Sequence, residues 1–378
     1  MRAGAPWAFS NEIVMDAAAK ALPPGAAVTL TDDKGAVLGV GYFNPKSLIA
    51  VRLLARSAVE MGREFLAGRL RRALSLRDRL FERPFYRLVH AEGDGLPGLV
   101  IDRFGDSLSV QVTTAGMERM LDDLIAALDE VLSPKLIMLR NDVPARSLEG
   151  LNSYVRAARG EAPTWLEVEE NGARYVADLA GGQKSGWYYD QRDNRAFMAT
   201  LAKDARVLDA YCYSGGFGVL AGMRGAAQVT GIDSSEAALK LAAGAAAANG
   251  VESRCSFVKA DVMDELERMA AAGKRFDIVI CDPPPFAPSR KDIEVGARAY
   301  RKLARLAAGV TAQGGFLLLA SCSHNMSEER FAGECALGLV RAGREGRLIR
   351  KAGAGSDHPA HPMLPETAYL KALVYALD

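Results

Sequence analysis

The stretch that decides the fold is Arg206-Val207-Leu208-Asp209-Ala210-Tyr211-Cys212-Tyr213-Ser214-Gly215-Gly216-Phe217-Gly218. Its first six residues read as a buried strand and the rest as a glycine-rich turn into a helix, a place where backbone can approach a ligand closely. Downstream, Gln228-Val229-Thr230-Gly231-Ile232 is a second strand ending in Asp233-Ser234, where a carboxylate can accept both hydroxyls of a ribose. Phe257-Val258-Lys259-Ala260-Asp261 ends a third strand in another acid, with Val262 beside it. Acidic strand ends after one glycine-rich turn suggest a nucleoside-containing cofactor. The spacing is Gly-Gly-x-Gly rather than G-x-G-x-x-G. A pocket for an amino-acid end and one adenosine, as S-adenosylmethionine requires, therefore fits better than a pyrophosphate clamp for NAD.

Two further signals follow apolar strand-like segments: Cys281-Asp282-Pro283-Pro284-Pro285-Phe286 and, about forty residues later, Ser321-Cys322-Ser323. A carboxylate and a thiol at the carboxyl ends of neighbouring strands would face one crevice. From about residue 180 onward strands and helices alternate, which predicts a doubly wound, mostly parallel sheet. Upstream, Tyr86 to His90, Leu99 to Arg103 and Leu108 to Thr113 read as strands, and Met117 to Leu132 as a helix. Asn171-Gly172 is a two-residue hairpin signal. The first seventy residues carry short β-like pieces at 27–30, 36–43 and 49–54. The expected organisation is α/β, with a small β-rich domain over 1–70, an α+β middle domain over 71–178 and the doubly wound domain over 179–378.

Composition limits the function classes. The 378 residues are 49% hydrophobic with net charge +1, so no global charge pulls the chain toward nucleic acid. Any RNA contact must be local. One candidate patch is the set Arg63, Arg69, Arg71, Arg72, Arg77, Arg79, Arg83 and Arg87, although Glu60, Glu64, Asp78 and Glu82 lie among them and a solvated face of mixed ion pairs is the plainer reading. Five cysteines without a CxxC pair support neither a disulfide framework nor a zinc site, and four scattered histidines give no metal centre. With no apolar run of membrane-spanning length and no signal-peptide core after Met1-Arg2-Ala3, cytoplasmic residence is the expectation, with no membrane partner. Whether the chain forms a homodimer is open.

Read together, Lys184-Ser185-Gly186-Trp187-Tyr188-Tyr189-Asp190-Gln191-Arg192-Asp193-Asn194-Arg195, the turn at 211–217, Asp282-Pro283-Pro284-Pro285-Phe286 and Ser321-Cys322-Ser323 resemble one family. It is the bacterial large-subunit rRNA cytosine-5 methyltransferases with an N-terminal PUA domain. Tyr86 to Gly98, Ile101 to Phe104 and Asp357-His358-Pro359 extend the resemblance over nearly the whole chain. It implies a class I methyltransferase domain using S-adenosylmethionine, a middle domain that helps hold large-subunit rRNA, and a PUA-like RNA-binding domain. It also places Tyr188, Asp190, Gln191 and Arg192 over the cofactor or the target base. There are two departures. The chain begins close to Pro6-Trp7-Ala8-Phe9-Ser10, where the family usually has a preceding strand and a basic stretch, so the PUA-like domain is expected to be incomplete. Pro285 stands where the family commonly has Lys.

Carbon 5 of cytosine is too poor a nucleophile to take a methyl group from a sulfonium directly. A cysteine thiolate adding to carbon 6 makes carbon 5 enamine-like, and an acid near N3 assists as electrons arrive in the ring. Cys322 and Asp282 fit these roles, whereas Cys212, Cys255, Cys281 and Cys335 read as small buried hydrophobes. The expected cofactor contacts are Asp190, Gln191, Asp209, Tyr211, Ser214, Gly215, Gly216, Phe217, Asp233, Ser234, Asp261, Val262 and Asp282. The expected substrate contacts are Arg192, Pro283, Pro284 and Phe286, and no metal is expected. Asp282 is open to a plainer reading as a helix N-cap. Asp-Pro-Pro-Pro-Phe also resembles the signature of enzymes that methylate base nitrogens, where the acid holds the amine and the aromatic stacks on a flipped base. A nitrogen methyltransferase is therefore the runner-up. An RNA-binding or assembly factor with a silent cofactor pocket is a third reading.

Overall fold

The computed structural model describes residues 4–161, 163, 165–179 and 186–378, so Lys184 and Ser185 of the segment read above, and Met1-Arg2-Ala3, lie outside the described residues. Two compact units emerge, one formed by Met1–Val168, Ala177–Tyr189 and Ser356–Ala368, the other by Glu169–Val176, Asp190–Gly355 and Tyr369–Asp378.

The first unit holds two sheets. Strands β1 (Trp7–Phe9), β2 (Ala26–Thr31), β3 (Val37–Phe43) and β4 (Ile49–Ala55) form an antiparallel sheet in the order β1-β4-β3-β2, with a short helix α1 (Ala17–Ala21) before β2. Its small core gathers Ala8, Phe43, Ala50, Val51 and Leu53. After helix α2 (Arg63–Leu80) come β5 (Phe85–His90), β6 (Leu99–Phe104), β7 (Ser107–Val112), β8 (Leu136–Asn141) and β9 (Tyr154–Arg159), side by side in chain order. Only β7 and β8 pair in parallel, and the crossover between them runs through α3 (Ala115–Arg119) and α4 (Leu121–Leu132), as a parallel pair requires. Leu66, Ala67 and Leu70 of α2 and Leu124 and Leu128 of α4 cover Leu88, Ile101, Val110, Ile137 and Leu139.

Arg77 lies on the same helical face as Leu66, Leu70 and Ala73, and is fully buried. Its guanidinium pairs with both oxygens of Asp94 (2.5 and 2.8 Å), and also donates to the backbone oxygens of Arg87 (2.9 Å) and Asp357 (2.8 Å). The Asp357 carboxylate in turn accepts from the Arg87 backbone N–H (2.9 Å), which ties segment 356–368 into this unit. Most of the candidate basic patch is likewise engaged: Arg63 and Arg71 pair with Glu130, Arg69 donates to the Leu54 carbonyl and Arg87 pairs with Asp102. Arg72 and Arg79 remain exposed.

Strands β10 (Leu166–Glu170) and β11 (Ala173–Ala177) form the expected hairpin, with Asn171 (φ 54°) and Gly172 (φ 81°) both left-handed as a primed turn requires.

In the second unit, β12 (Arg206–Ala210), β13 (Gln228–Asp233), β14 (Cys255–Lys259), β15 (Phe276–Cys281), β16 (Thr311–Ser321), β17 (Gly346–Ala352) and β18 (Lys371–Leu377) form one sheet in the order β14-β13-β12-β15-β16-β18-β17. The first five are parallel, and β18 runs antiparallel between β16 and β17. Helices α5 (Arg192–Thr200), α6 (Gly216–Met223), α7 (Glu236–Ala248), α8 (Val262–Ala271), α9 (Ile293–Val310) and α10 (Glu328–Arg341) alternate with them. Side chains alternate across the strands. Leu208, Val279, Cys281, Leu317 and Leu319 join one core with Tyr300, Leu303 and Phe331, while Val207, Ile278, Ile280 and Leu318 join the other with Met198 and Phe217. Both faces are covered, so the strands read as continuous apolar runs. This is the doubly wound α/β architecture expected from the sequence, with a reversed strand at one side.

Candidate active site

Register brings the chemistry-bearing residues together. Ala210 pairs with Ile232 on one side and with Cys281 on the other, and Cys281 pairs with Leu319. The next residue along each strand, Tyr211, Asp233, Asp282 and Ala320, thus stands level at the carboxyl ends of four adjacent parallel strands, with Cys322 two residues beyond Ala320. This is where α/β sheets open a crevice for ligands.

The turn after β12 is backbone under constraint. Tyr211 (φ 64°) and Tyr213 (φ 48°) are left-handed although neither is glycine, as is Gly215 (φ 81°). Bonds from Cys212 N–H to the Ile232 carbonyl (2.9 Å) and from Gly215 N–H to the Cys212 carbonyl (2.8 Å) hold it. Asp233 completes the hold by accepting from Tyr213 N–H (3.0 Å) and from Ser235 N–H (2.8 Å), which fixes the carboxylate while leaving it half-exposed. Beneath the turn, Asp209 accepts from Gly218 N–H (2.8 Å), an approach that needs glycine because a Cβ there would lie 3.1 Å from the carboxylate and 2.9 Å from Val229. Burial pushes the Asp209 carboxyl up to about 7, with Asp282 and Asp233 adding to the rise and the Gly218 N–H opposing it.

Among the buried polar atoms of the described residues that lack a hydrogen-bond partner are Ser214 Oγ in the glycine turn and Gln191 Nε2 just before α5. Such atoms are costly in a folded protein unless a ligand or water completes them. Gln191 Oε1 accepts from Asn194 Nδ2 (2.7 Å), which aims the amide, and Asp190 is held by the Tyr369 hydroxyl (2.5 Å). A half-exposed acid, two orphaned polar atoms and a glycine turn into α6 suit a ligand with a polar amino-acid end and a ribose. S-adenosylmethionine fits these residues.

Burial corrects several expectations. The Phe217 ring sits in the core under the Arg195 guanidinium (5.6 Å), and the Val262 side chain belongs to the opposite core, so only their backbones remain for a cofactor. Asp209 is 1% exposed and shapes the turn instead of facing the crevice. Asp261 is the N-cap of α8, accepting from Asp264 N–H (3.1 Å), and Ser234 is exposed. Arg192 turns toward Glu170 (3.8 Å) with its side chain 11% exposed, which removes it from an open substrate surface. Pro283 is buried, while Pro284 is exposed and Phe286 half-buried.

Cys322 is partly accessible, as is Cys255, against its reading as buried, though burial pushes the Cys255 thiol up to about 11; Cys212, Cys281 and Cys335 are buried and their thiols are pushed far up. The loops carrying Asp282 and Cys322 are joined by a hydroxyl cluster absent from the sequence reading. Tyr300 of α9 bonds Ser321 Oγ (2.8 Å) and Ser323 Oγ (2.9 Å), and Ser323 Oγ accepts from Ala287 N–H (3.2 Å). Lys371 Nζ donates to the carbonyls of Ser323 (2.7 Å) and Met326 (2.8 Å). The ion pair of Arg195 with Glu170 (2.7 Å) was also unforeseen. The one signal in the sequence was Lys371 at the head of an otherwise apolar strand.

Comparison with known proteins agrees with this geometry. Residues 151–375 match the S-adenosylmethionine-dependent methyltransferase family, and residues 1–56 match the PUA-like domain. The chain is 37% identical over 376 residues to a protein of Tolumonas auensis named ribosomal RNA large subunit methyltransferase I, covering 98% of this chain and 94% of the relative. A protein of the same name from Photobacterium profundum is 38% identical over 372 residues, covering 97% and 94%. Among solved structures, a candidate SAM-dependent methyltransferase from Streptococcus mutans superposes with a TM-score of 0.84 at 22% identity, covering 99% of this chain and 96% of that one. A candidate methyltransferase complexed with SAH gives 0.86 at 22% identity and the same coverage. These two structures bear on the fold. The level strand ends, the constrained glycine turn and the matches over the full length lead to one conclusion: the chain belongs to the S-adenosylmethionine-dependent methyltransferase family that includes the ribosomal RNA large subunit methyltransferase I proteins, with a PUA-like domain at its N-terminal end and S-adenosylmethionine as its cofactor.

Proposed function

We propose that the protein methylates carbon 5 of a cytosine in large-subunit ribosomal RNA, in the cytoplasm, with residues 1–70, 71–178 and 179–378 serving as PUA-like, middle and catalytic domains. The observation that carries this reading is the accessible Cys322 just beyond the strand end neighbouring Asp282. A nitrogen methyltransferase needs no thiol there.

Bound S-adenosylmethionine supplies an electrophilic methyl group on a sulfonium. Asp233, Gln191 and Ser214 hold and orient it. With a cytosine flipped into the crevice, the Cys322 thiolate forms a bond to carbon 6 while Asp282 donates a hydrogen bond or proton at N3. Methyl transfer to carbon 5 would release S-adenosylhomocysteine, and loss of the carbon 5 proton to a base would then break the carbon–sulfur bond, restoring the Cys322 thiolate and returning any N3 proton to Asp282. Phe286, half-buried with its ring 4.8 Å from that of Tyr300, is assigned the role of stacking on the base.

Cys322→Ala is expected to abolish methyl transfer to rRNA while S-adenosylmethionine still binds. RNA carrying 5-fluorocytosine at the target should trap a covalent complex with the wild type and none with the variant. Robust methylation by Cys322→Ala, or a methyl group on a nitrogen of the product base, would move the assignment to nitrogen methylation by the Asp282-Pro283-Pro284-Pro285-Phe286 loop. Failure of the wild type to bind S-adenosylmethionine in a calorimeter would favour the non-catalytic reading.

A further inference from the structure

Lys371 is a buried lysine, 7% exposed, at the first position of β18 directly opposite Ser321. Its three N–H donors find two backbone carbonyls, those of Ser323 and Met326, and among the described residues it forms no ion pair. The carboxylate that acts on it, Glu328, is exposed and bonded to Lys351 (3.1 Å). A buried ammonium that lacks a carboxylate is costly unless another anion completes it. The other group acting on it is the Cys322 thiol, one residue from the carbonyl that the ammonium grips. Burial holds the pKa of Lys371 below the usual lysine value, and a thiolate at Cys322 opposes part of that fall.

We propose that Lys371 is the positioning residue for Cys322: its ammonium clamps the loop 321–326 through two carbonyls and supplies the positive charge beside which the Cys322 thiolate forms. This rests on the reading of Cys322 as nucleophile and deepens it. A free thiol near pKa 8.5 is only a few per cent thiolate at neutral pH, so attack on carbon 6 gains directly from a fixed cation. Among the described residues, three groups stand on the elements packed around this loop. Tyr300 of α9 presents a neutral hydroxyl, Asp282 ends the neighbouring β15, and Glu328 of α10 acts at the surface. His324, next but one in the chain, is stacked on Tyr369 (5.0 Å) and exposed. Lys371 is the buried cation among them.

The test reads the thiol itself. The rate of alkylation of Cys322 by iodoacetamide, followed by peptide mass spectrometry on the full chain from pH 5 to 10, gives its titration midpoint. Lys371→Gln, which keeps a donor but loses the charge, should raise the midpoint by about one pH unit, roughly a tenfold loss of thiolate at neutral pH. Lys371→Arg should restore it. A reciprocal measurement leaves Lys371 in place: isotope-labelled lysine titrated by NMR should show the Lys371 amine midpoint falling in Cys322→Ala. Identical alkylation curves in wild type and Lys371→Gln with S-adenosylmethionine binding retained, or an unmoved amine in Cys322→Ala, would overturn the proposal. The nucleophile reading fails separately, if Cys322→Ala still methylates RNA.

Discussion

The two units treat buried charge differently. In the first, Arg77, Arg140 and Arg146 are buried and each meets a carboxylate, Asp94, Asp142 and Glu118 respectively. The second unit has such pairs too, Arg195 with Glu170 and Glu334 with Arg301 and Arg330, yet Asp209 and Lys371 are buried against backbone groups and form no ion pair among the described residues. Both exceptions lie at strand ends bordering the crevice. The paired charges are framework, whereas Asp209 is held by a backbone N–H under the glycine turn and Lys371 by two carbonyls of the cysteine loop.

Removing one side of a complete pair is the harshest test. Asp94→Ala leaves the Arg77 guanidinium buried with carbonyls alone, and denaturant unfolding should show a loss of about 3–5 kcal/mol. A loss under about 1 kcal/mol would break the contrast.

An incomplete site should instead respond to pH. Because the folded pKa of Asp209 is raised to about 7, the native state keeps a proton that the unfolded chain releases above pH 4 or so. The stability it contributes is full below that pH and declines as pH rises toward 7. Asp209→Asn, which still offers an oxygen to Gly218 N–H, should remove this decline, about 4 kcal/mol for a rise of about three pKa units, in unfolding experiments across pH 4 to 8. An unchanged slope would mean that Asp209 titrates normally.

The smallest of these effects is on ligand affinity alone. Asp233→Ala removes the acceptor at the end of β13 and should weaken S-adenosylmethionine binding at least about tenfold, near 1.4 kcal/mol, by isothermal titration. Unchanged affinity with the fold intact would place the ribose elsewhere.

The parts of this architecture that were legible are those written locally. Apolar runs ending in Asp233, Asp282 and Ser321-Cys322, the left-handed Asn171-Gly172 turn and the periodic apolar residues of α3 and α4 each carry their signal within a few residues. Three-residue β1 and the exposed, charged β17 lack such a signal, since an edge strand earns its pairing from the neighbour it meets. The side-chain contacts that the sequence did not reveal are long-range pairings. Arg77 meets Asp357 across 280 positions, Lys371 meets Ser323 across 48 and Tyr369 meets Asp190 across 179. Reading arginine-rich α2 as a basic surface failed for Arg77 for the same reason, because its helical face was visible in the sequence and its buried partner was not.

One topological detail bears on how the protein is made. Strand β18 separates β16 from β17, and it leaves the ribosome after both of them. Until it arrives, β16 and β17 each present an unpaired edge, an aggregation liability in the nascent chain. The strand that closes this gap also delivers Lys371 to the cysteine loop. On the proposal made above, synthesis order would withhold the charge beside Cys322 until the sheet is shut, leaving an ordinary thiol in the half-made chain.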